Sequence, residues 1–317
     1  MESLLLVGTG RMARAYVQVL GAQKRQVLAV GRSEEGAQKF REETGIEATP
    51  GGIAAWRKKG VPAPTHAIVA IDDEEAPRAA EDLMEMGCRN ILLEKPGSLT
   101  QSGLVDIQKT ATKSNAYVFI GYNRRFLAST QKAKEIIAED GGALSVYFEF
   151  NERLTQPERI ASMQIPKRTV ENWFIANSTH VVDLSLFLSD ELETLTGFSA
   201  SGPLWAPQSH PTLYAGAGTT KKGAIISYYA NWEIDGPWLV EIGTAKRTLI
   251  LNPLEKLAVE HSGAREEVSY DTTLDTTYRP GLYREVESFL DAQENLKTLD
   301  EQVGHFAWYE KMLGHRV

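Results

Sequence analysis

The sequence predicts an α/β protein with two domains. Residues 1–121 should form a doubly wound parallel sheet, and residues 122–317 an α+β domain with a large, mostly antiparallel open sheet. Three observations predict this. A glycine-rich turn follows the first apolar run, strand-like and helix-like segments alternate as far as Gly121, and long apolar–polar alternation takes over after it. With 317 residues the chain has room for two domains, because one hydrophobic core stops growing near ~250–300 residues.

The first run, Leu4–Val7, feeds Gly8-Thr9-Gly10-Arg11-Met12-Ala13, a G-x-G-x-x-A turn that opens a helix as far as Leu20. Such glycines allow a tight turn and let the backbone approach a pyrophosphate, which rests on the helix N-terminus. Gly8, Thr9, Gly10, Arg11 and Met12 are therefore candidate dinucleotide contacts. The second strand, Gln26–Val30, ends at Gly31-Arg32-Ser33, and a helix follows over Glu35–Glu43. The third, His66–Ile71, ends on Ala70 and Ile71, which belong to the same crevice, with a helix over Glu75–Met86. The fourth, Asn90–Glu94, closes on Glu94-Lys95-Pro96; the helix Gln101–Lys113 then starts after Thr100, a good N-cap residue. The fifth, Ala116–Gly121, runs into Gly121-Tyr122-Asn123-Arg124-Arg125-Phe126.

Beyond the junction a helix is expected over Ser129–Ile137. Then Leu144, Val146, Phe148 and Phe150 alternate with Ser145, Tyr147, Glu149 and Asn151, the two-residue period of a strand with one buried face. Ile226, Tyr228, Ala230 and Trp232 repeat the pattern against Ile225, Ser227, Tyr229 and Asn231. Shorter strands are expected at Trp238–Ile242, Thr248–Leu251 and Leu257–Glu260. A helix should span Val170–Leu188, and two more, Tyr283–Gln293 and Leu299–Leu313, should end the chain.

Composition narrows the function. A formal charge of -8 argues against nonspecific nucleic-acid binding and against a basic membrane-facing surface. No stretch approaches the ~20 apolar residues of a membrane span, and the four-residue N-terminal run falls short of the roughly seven to fifteen of a signal core. A cytoplasmic location is expected. The single cysteine, Cys88, excludes an intramolecular disulfide and a cysteine-rich metal site, so no metal is expected and the thiol reads as buried and inert.

Three constellations point to chemistry. An Asp or Glu just past the second strand would hold the ribose 2′-hydroxyl of NAD. Here Arg32 and Ser33 stand in its place, a pair suited to a 2′-phosphate, so NADP is the preferred cofactor and NAD the alternative, with Glu34 or Glu35 then taking the ribose. Proline keeps the residue before it out of helical conformation, so Lys95 should be extended at its strand tip beside Glu94 and Pro96, in the same crevice. A nearby nicotinium charge or burial would bring its proton into reach near neutrality. Tyr122 and Asn123, where the chain leaves the first domain, are candidates for lining the nicotinamide pocket, while Arg124 and Arg125 are expected to bridge the domains through salt links. On the Val170–Leu188 helix, Asn177 and His180 are three apart and share a side, with Asp183 placed to orient the His180 ring. An imidazole has the intrinsic pKa to take a hydroxyl proton as hydride leaves the same carbon. The other five histidines lack such company.

Together these motifs resemble the glucose–fructose oxidoreductase / inositol dehydrogenase / MocA family of NAD(P)-dependent oxidoreductases. The likeness rests on the G-x-G-x-x-A opening, Glu94–Pro96, Gly121–Phe126, and His180-x-x-Asp183, and it covers the whole chain. It implies a Rossmann domain followed by an α/β domain whose open sheet serves as a homodimer or homotetramer interface. It also implies a small-molecule substrate, a sugar, cyclitol or nucleotide-sugar, oxidised or reduced at a secondary carbinol. Two departures stand out. Many members carry an Asp four residues before the helix histidine, where this chain has Ala176, with the uncharged Asn177 beside it. Many also have Thr-Pro-x-x-x-His after the third strand, where this chain reads Ile71-Asp72-Asp73-Glu74-Glu75-Ala76, expected to be a solvated loop. The function expected is hydride transfer with Lys95 and His180 sharing the proton and Asn177 holding the carbinol oxygen. The alternatives are a cofactor-binding sensor without turnover and a reductase of imines or other C=X bonds.

Overall fold

The computed structural model describes residues 3–152, 165–202 and 211–314. Its first unit begins with β1 (Leu4–Val7), α1 (Arg11–Ala22), β2 (Val27–Val30), α2 (Glu34–Thr44), β3 (Ala48–Thr49) and α3 (Gly52–Lys58). It continues through β4 (His66–Val69), α4 (Ala76–Met86), β5 (Asn90–Glu94), α5 (Gln101–Ser114) and β6 (Tyr117–Gly121). These strands are parallel, in the order β6-β5-β4-β1-β2-β3. β1 and β4 are buried along their whole length, which is why they read as unbroken apolar runs rather than alternation. Thr100 caps α5 as expected, its hydroxyl accepting from the Gly103 amide at 3.2 Å. The short β3 and α3 carry no clear periodicity and were not anticipated.

The second unit contains α6 (Ala128–Glu139), β7 (Ser145–Phe150), α7 (Lys167–Glu171), α8 (Thr179–Ser189), β8 (Leu192–Ala200), β9 (Leu213–Thr220) and β10 (Ile225–Asn231). β11 (Trp238–Gly243), β12 (Thr248–Leu251), β13 (Leu257–His261) and β14 (Ala264–Glu267) follow. Its eight strands run β14-β13-β12-β11-β7-β10-β9-β8, antiparallel except where β7 lies parallel to β10. The alternation in the sequence sorts the faces. Val146, Phe148, Phe150, Ile226, Tyr228 and Ala230 are buried, Phe148 stacks on Tyr228 with ring centroids 5.5 Å apart, and α8 packs on β7 and β11. Leu144 does not belong to that face. It precedes β7 and is 60% exposed, because the pleat begins only at Ser145. On the opposite face Phe198 pairs with Ala215, which pairs in turn with Tyr229; Phe198 and Ile225 are 73% and 64% exposed. This outer face is less polar than the sequence pattern implied.

The chain then passes through α9 (Thr273–Thr277), α10 (Leu282–Leu290), β15 (Lys297–Thr298) and α11 (Leu299–Met312). The span expected as one domain, 122–317, divides here: Leu274–Gly304 cluster with the first unit, while Arg124–Thr273 and the residues from His305 on form the second. The reason is the exposed flank of the parallel sheet. β15 adds antiparallel to β6, closing an otherwise open edge. α10 buries Leu282, Val286 and Phe289, with the Phe289 ring edge-on to His66 and Phe119. Among the described residues no helix is long and apolar enough to cross a membrane.

Candidate active site

In the first unit the parallel register places five strand ends in one row: Val30, Val7, Val69, Leu93 and Ile120 are successive partners across the sheet. Every first-unit candidate sits at or just past that row, and β5 lies two strands from β1, about 10 Å. The chain crosses from β1 to its two neighbours on opposite sides, which opens the crevice where α/β sheets bind nucleotides.

The turn after β1 shows why it needs glycine. Gly8 has φ +124°, and a Cβ there would lie 2.3 Å from the Ala70 carbonyl oxygen; its amide donates to the Val30 carbonyl at 2.8 Å. A Cβ on Gly10 would meet nothing within 4 Å, so the open side of the turn is over the start of α1. Gly10 is the N-cap there and offers no side chain to the first-turn amides. An uncapped helix start beside an open glycine fits a pyrophosphate. Thr9 packs under Gly31, where a Cβ would fall 2.7 Å from the Thr9 methyl. Arg11 is exposed and Met12 half-buried.

Past β2, the Ser33 hydroxyl caps α2 by accepting from the Gly36 amide at 3.1 Å. Arg32 keeps its side chain 88% exposed, 4.0 Å from Asp72. Asp72 opens the acidic stretch after β4, which is the turn into α4: the Glu75 and Ala76 amides donate to the Asp72 carbonyl. Ala70 is buried and Ile71 half-buried at the end of β4. Cys88 is fully buried, and burial pushes its thiol up to about 11.

The tip of β5 is held from both sides. Glu94 accepts from the Tyr16 hydroxyl of α1 at 2.7 Å, and the Pro96 carbonyl accepts from Gln302 Nε2 of α11 at 2.9 Å. The half-buried Lys95 lies between them. Burial raises the Glu94 carboxyl, opposed by the Tyr16 hydrogen bond, Lys95 and Arg279. Burial, with the charges of Glu94 and Glu285, holds Tyr16 well above the usual phenol range, so it stays a donor. Tyr122 and Asn123 are both buried. Tyr122 Oη accepts from Gln302 at 3.2 Å, Lys297 Nζ lies 5.5 Å from its ring centroid, and Asn123 Nδ2 donates to the Pro280 carbonyl. Neither Tyr16 nor Gln302 was anticipated. Tyr16 had a signal in its place on the inward face of α1, whereas Gln302 lies 180 residues from Tyr122 and had none.

In the second unit the expected Val170–Leu188 helix is interrupted. α7 ends at Glu171, a wider π-type turn spans Phe174–Ser178, and α8 starts at Thr179. Asn172, with φ −113° and ψ 34°, breaks the helical path. The spacing from Asn177 to His180 thus crosses from the wide turn into regular helix. The turn directs Asn177 Nδ2 to Glu152 Oε1 at 2.6 Å, with the Ser178 hydroxyl 3.4 Å from the same oxygen. Glu152 is buried and supplies a carboxylate that no sequence signal marked; π-type turns recur at functional sites. His180 is buried, its ring centroid 6.1 Å from that of Trp238. Asp183 is fully buried, and its two oxygens accept from Arg125 Nε and Nη2, both at 2.8 Å. Arg124 pairs with Glu255 at 2.7 Å. Each arginine thus has a carboxylate partner within the second unit, where links between the domains were expected. His305, thought to lack a carboxylate, has both oxygens of Glu191 at 2.9 Å.

Residues 3–122 match the model of an oxidoreductase family, Gfo/Idh/MocA, described as having an NAD-binding Rossmann fold. No curated protein matches the chain. Solved structures match it over nearly its whole length. UDP-N-acetylglucosamine 3-dehydrogenase GnnA from Acidithiobacillus ferrooxidans is 18% identical, with 97% of this chain and 95% of that one covered and a TM-score of 0.74. An oxidoreductase from Agrobacterium radiobacter, solved with NAD+, L-tartaric acid and magnesium, is 15% identical over 98% and 94%, with a TM-score of 0.79. The WlbA dehydrogenase from Bordetella pertussis, solved with NADH and UDP-GlcNAcA, is 15% identical over 98% and 95%, with a TM-score of 0.77. At these identities the likeness establishes the fold: a Rossmann-like parallel sheet followed by a large, mostly antiparallel one.

The Arg125–Asp183 pair has a measurable consequence. Removing one member of a buried ion pair costs about 3–5 kcal/mol because it strands the other charge, whereas replacing both with apolar groups is far milder. Asp183→Leu should therefore lower unfolding stability in urea by about that amount, and Arg125→Met/Asp183→Leu should recover most of it.

Proposed function

We propose that the protein is a nicotinamide-dependent dehydrogenase or reductase acting on a secondary alcohol, or its ketone, in a sugar, cyclitol or nucleotide-sugar. The observation that carries this reading is the row of strand ends in the first unit, which sets the open glycine turn after β1 and the clamped Lys95 at β5 on one sheet edge. The cofactor supplies the hydride donor or acceptor; the protein's part is to position and to move a proton. In this proposal Lys95 and His180 hold and transfer the carbinol proton. Asn177, whose amide nitrogen is committed to Glu152, accepts a substrate hydroxyl through Oδ1. Asp183, fixed by Arg125, anchors the turn of α8 that follows His180. The substrate class draws support from the UDP-N-acetylglucosamine 3-dehydrogenase and the UDP-GlcNAcA-bound dehydrogenase that share the fold. The sensor alternative drew its support from the missing carboxylate at Ala176. The buried Glu152 beside Asn177 weakens it.

For the cofactor, we infer a preference for NADP, since Arg32 projects into solvent past β2 where NAD enzymes place a carboxylate. Dissociation constants measured by nicotinamide fluorescence should favour NADPH over NADH, and Arg32→Ala should cost NADPH alone about 1.5–3 kcal/mol, typical of a charged hydrogen bond. Equal wild-type affinities for the two would reject the preference. For the chemistry, a panel of sugars, cyclitols and nucleotide-sugars screened by nicotinamide absorbance should yield a substrate on which Lys95→Met and His180→Ala each lose ~10²-fold or more in kcat, with cofactor affinity within a few fold. Near-normal turnover in both variants would remove them from the mechanism. For assembly, we infer that the outer sheet face carrying Phe198, Ile225 and Tyr229 mates with a second copy, as exposed apolar patches commonly do. Light scattering at micromolar concentration should give a dimer or tetramer mass, and a strictly monomeric mass would rule this out.

A further inference from the structure

We propose that Asp72 is a specificity-determining residue for the cofactor: its carboxylate, paired with Arg32 past the end of β2, competes with a 2′-phosphate and holds back the preference for NADP. This deepens the cofactor reading above and rests on it, since Arg32 is there the group that meets the phosphate.

The two residues stand on either side of the glycine turn. The Gly8 amide donates to the Val30 carbonyl of β2 at 2.8 Å, and a Cβ on Gly8 would lie 2.3 Å from the Ala70 carbonyl oxygen just past β4. Arg32 lies two residues beyond Val30, and Asp72 two beyond Ala70. β2 and β4 flank β1 on opposite sides, so their ends are about 10 Å apart. The approach of Arg32 Nη1 to Asp72 Oδ2, 4.0 Å, therefore spans the end of β1 and the turn that follows it. The bend into α4 is made by the Asp72 main chain, whose carbonyl accepts from the Glu75 and Ala76 amides, both at 3.0 Å. Its side chain is 53% exposed and turned to Arg32.

The opposition is one of charge. A guanidinium is a natural partner for a phosphate, but with Asp72 beside it part of the Arg32 charge is already met. A phosphate that reaches Arg32 also approaches a second anion. Both effects weaken NADP. A 2′-hydroxyl carries no charge and meets neither; it can donate to a carboxylate, as it does to the acid past the second strand of NAD sites. Exposure bounds the size of the effect. The Arg32 side chain is 88% exposed, and exposed pairs are screened by solvent and salt, so Asp72 tunes a preference and does not reverse it. The acidic stretch after β4, expected from the sequence to be a solvated loop, thus has a use at its first position.

The test reads binding to the full-length protein and needs no turnover. NADPH and NADH are titrated by nicotinamide fluorescence. Adenosine 2′,5′-bisphosphate and adenosine 5′-monophosphate, which present the adenosine end with and without the extra phosphate, are titrated by calorimetry. In Asp72→Asn the affinity for NADPH and for the bisphosphate should rise about twofold to fivefold, the range an exposed ion pair supports, while the affinity for NADH and for the monophosphate should not rise. Asp72→Glu, which keeps the carboxylate, should retain the wild-type ratio of NADPH to NADH affinity. So should Glu74→Gln, which removes the same charge two residues on, at another exposed position of the turn. An unchanged ratio in Asp72→Asn, or an equal rise in Glu74→Gln, would overturn the proposal and leave the NADP reading in place. Equal wild-type affinities for the bisphosphate and the monophosphate would overturn both.

Discussion

A carboxylate at the inner end of β5 sets the terms for the rest of the first unit. Glu94 closes a strand with an apolar centre, and its half-buried carboxyl is met by a phenol donor from α1 with two cations near. A buried charge without such partners costs several kcal/mol or is neutralised. Satisfying it brings α1 against the tip of β5, and Pro96 is tied down by a helix that arrives more than two hundred residues later. The same requirements place the glycine turn and Lys95 along one sheet edge. Packing and site geometry therefore have a common origin in this unit.

The return of Leu274–Gly304 to the first unit follows from the same economy of edges. A six-stranded parallel sheet ending on β6 would expose a strand flank and the apolar side of Phe119. β15 covers the flank and Phe289 covers the ring. Gln302 then comes within reach of Pro96 and Tyr122, and Lys297 of the Tyr122 ring. An element that looks like a simple C-terminal helix pair in sequence thus completes the support of Lys95.

The second unit meets its buried charges differently. Arg125 and Asp183 neutralise each other through two parallel hydrogen bonds, the geometry in which a guanidinium best matches a carboxylate. Glu152 is met by neutral donors, Asn177 and Ser178, brought to it by the wide turn ahead of α8. A regular helix through Asn177 would have carried these side chains round by its own pitch; the π-type turn re-aims them, at the cost of one turn of regular helical bonding. The carboxylate beside Asn177 is thus Glu152, two residues past the end of β7.

The sequence by itself determined the class of the fold and most of its elements. The G-x-G-x-x-A turn, the unbroken apolar runs of β1, β4 and β5, the Thr100 cap and the two-residue alternation of β7 and β10 are local signals, written in neighbouring residues by backbone sterics and by burial of one face or two. It also placed Lys95 at a strand tip, because proline constrains only the residue before it. What it could not carry were the partners of those residues. Tyr16 and Glu94 are 78 positions apart, Asn177 and Glu152 are 25 apart, and Gln302 lies 206 positions from Pro96. Hydrogen bonds and ion pairs act through space over about 3 Å, so which donor meets which buried acceptor is decided only once the sheets, the break before α8 and the returning C-terminal segment have assembled. Tertiary structure alone gave the acid beside a lysine its phenol donor, and turned an expected helix into two pieces around a carboxylate.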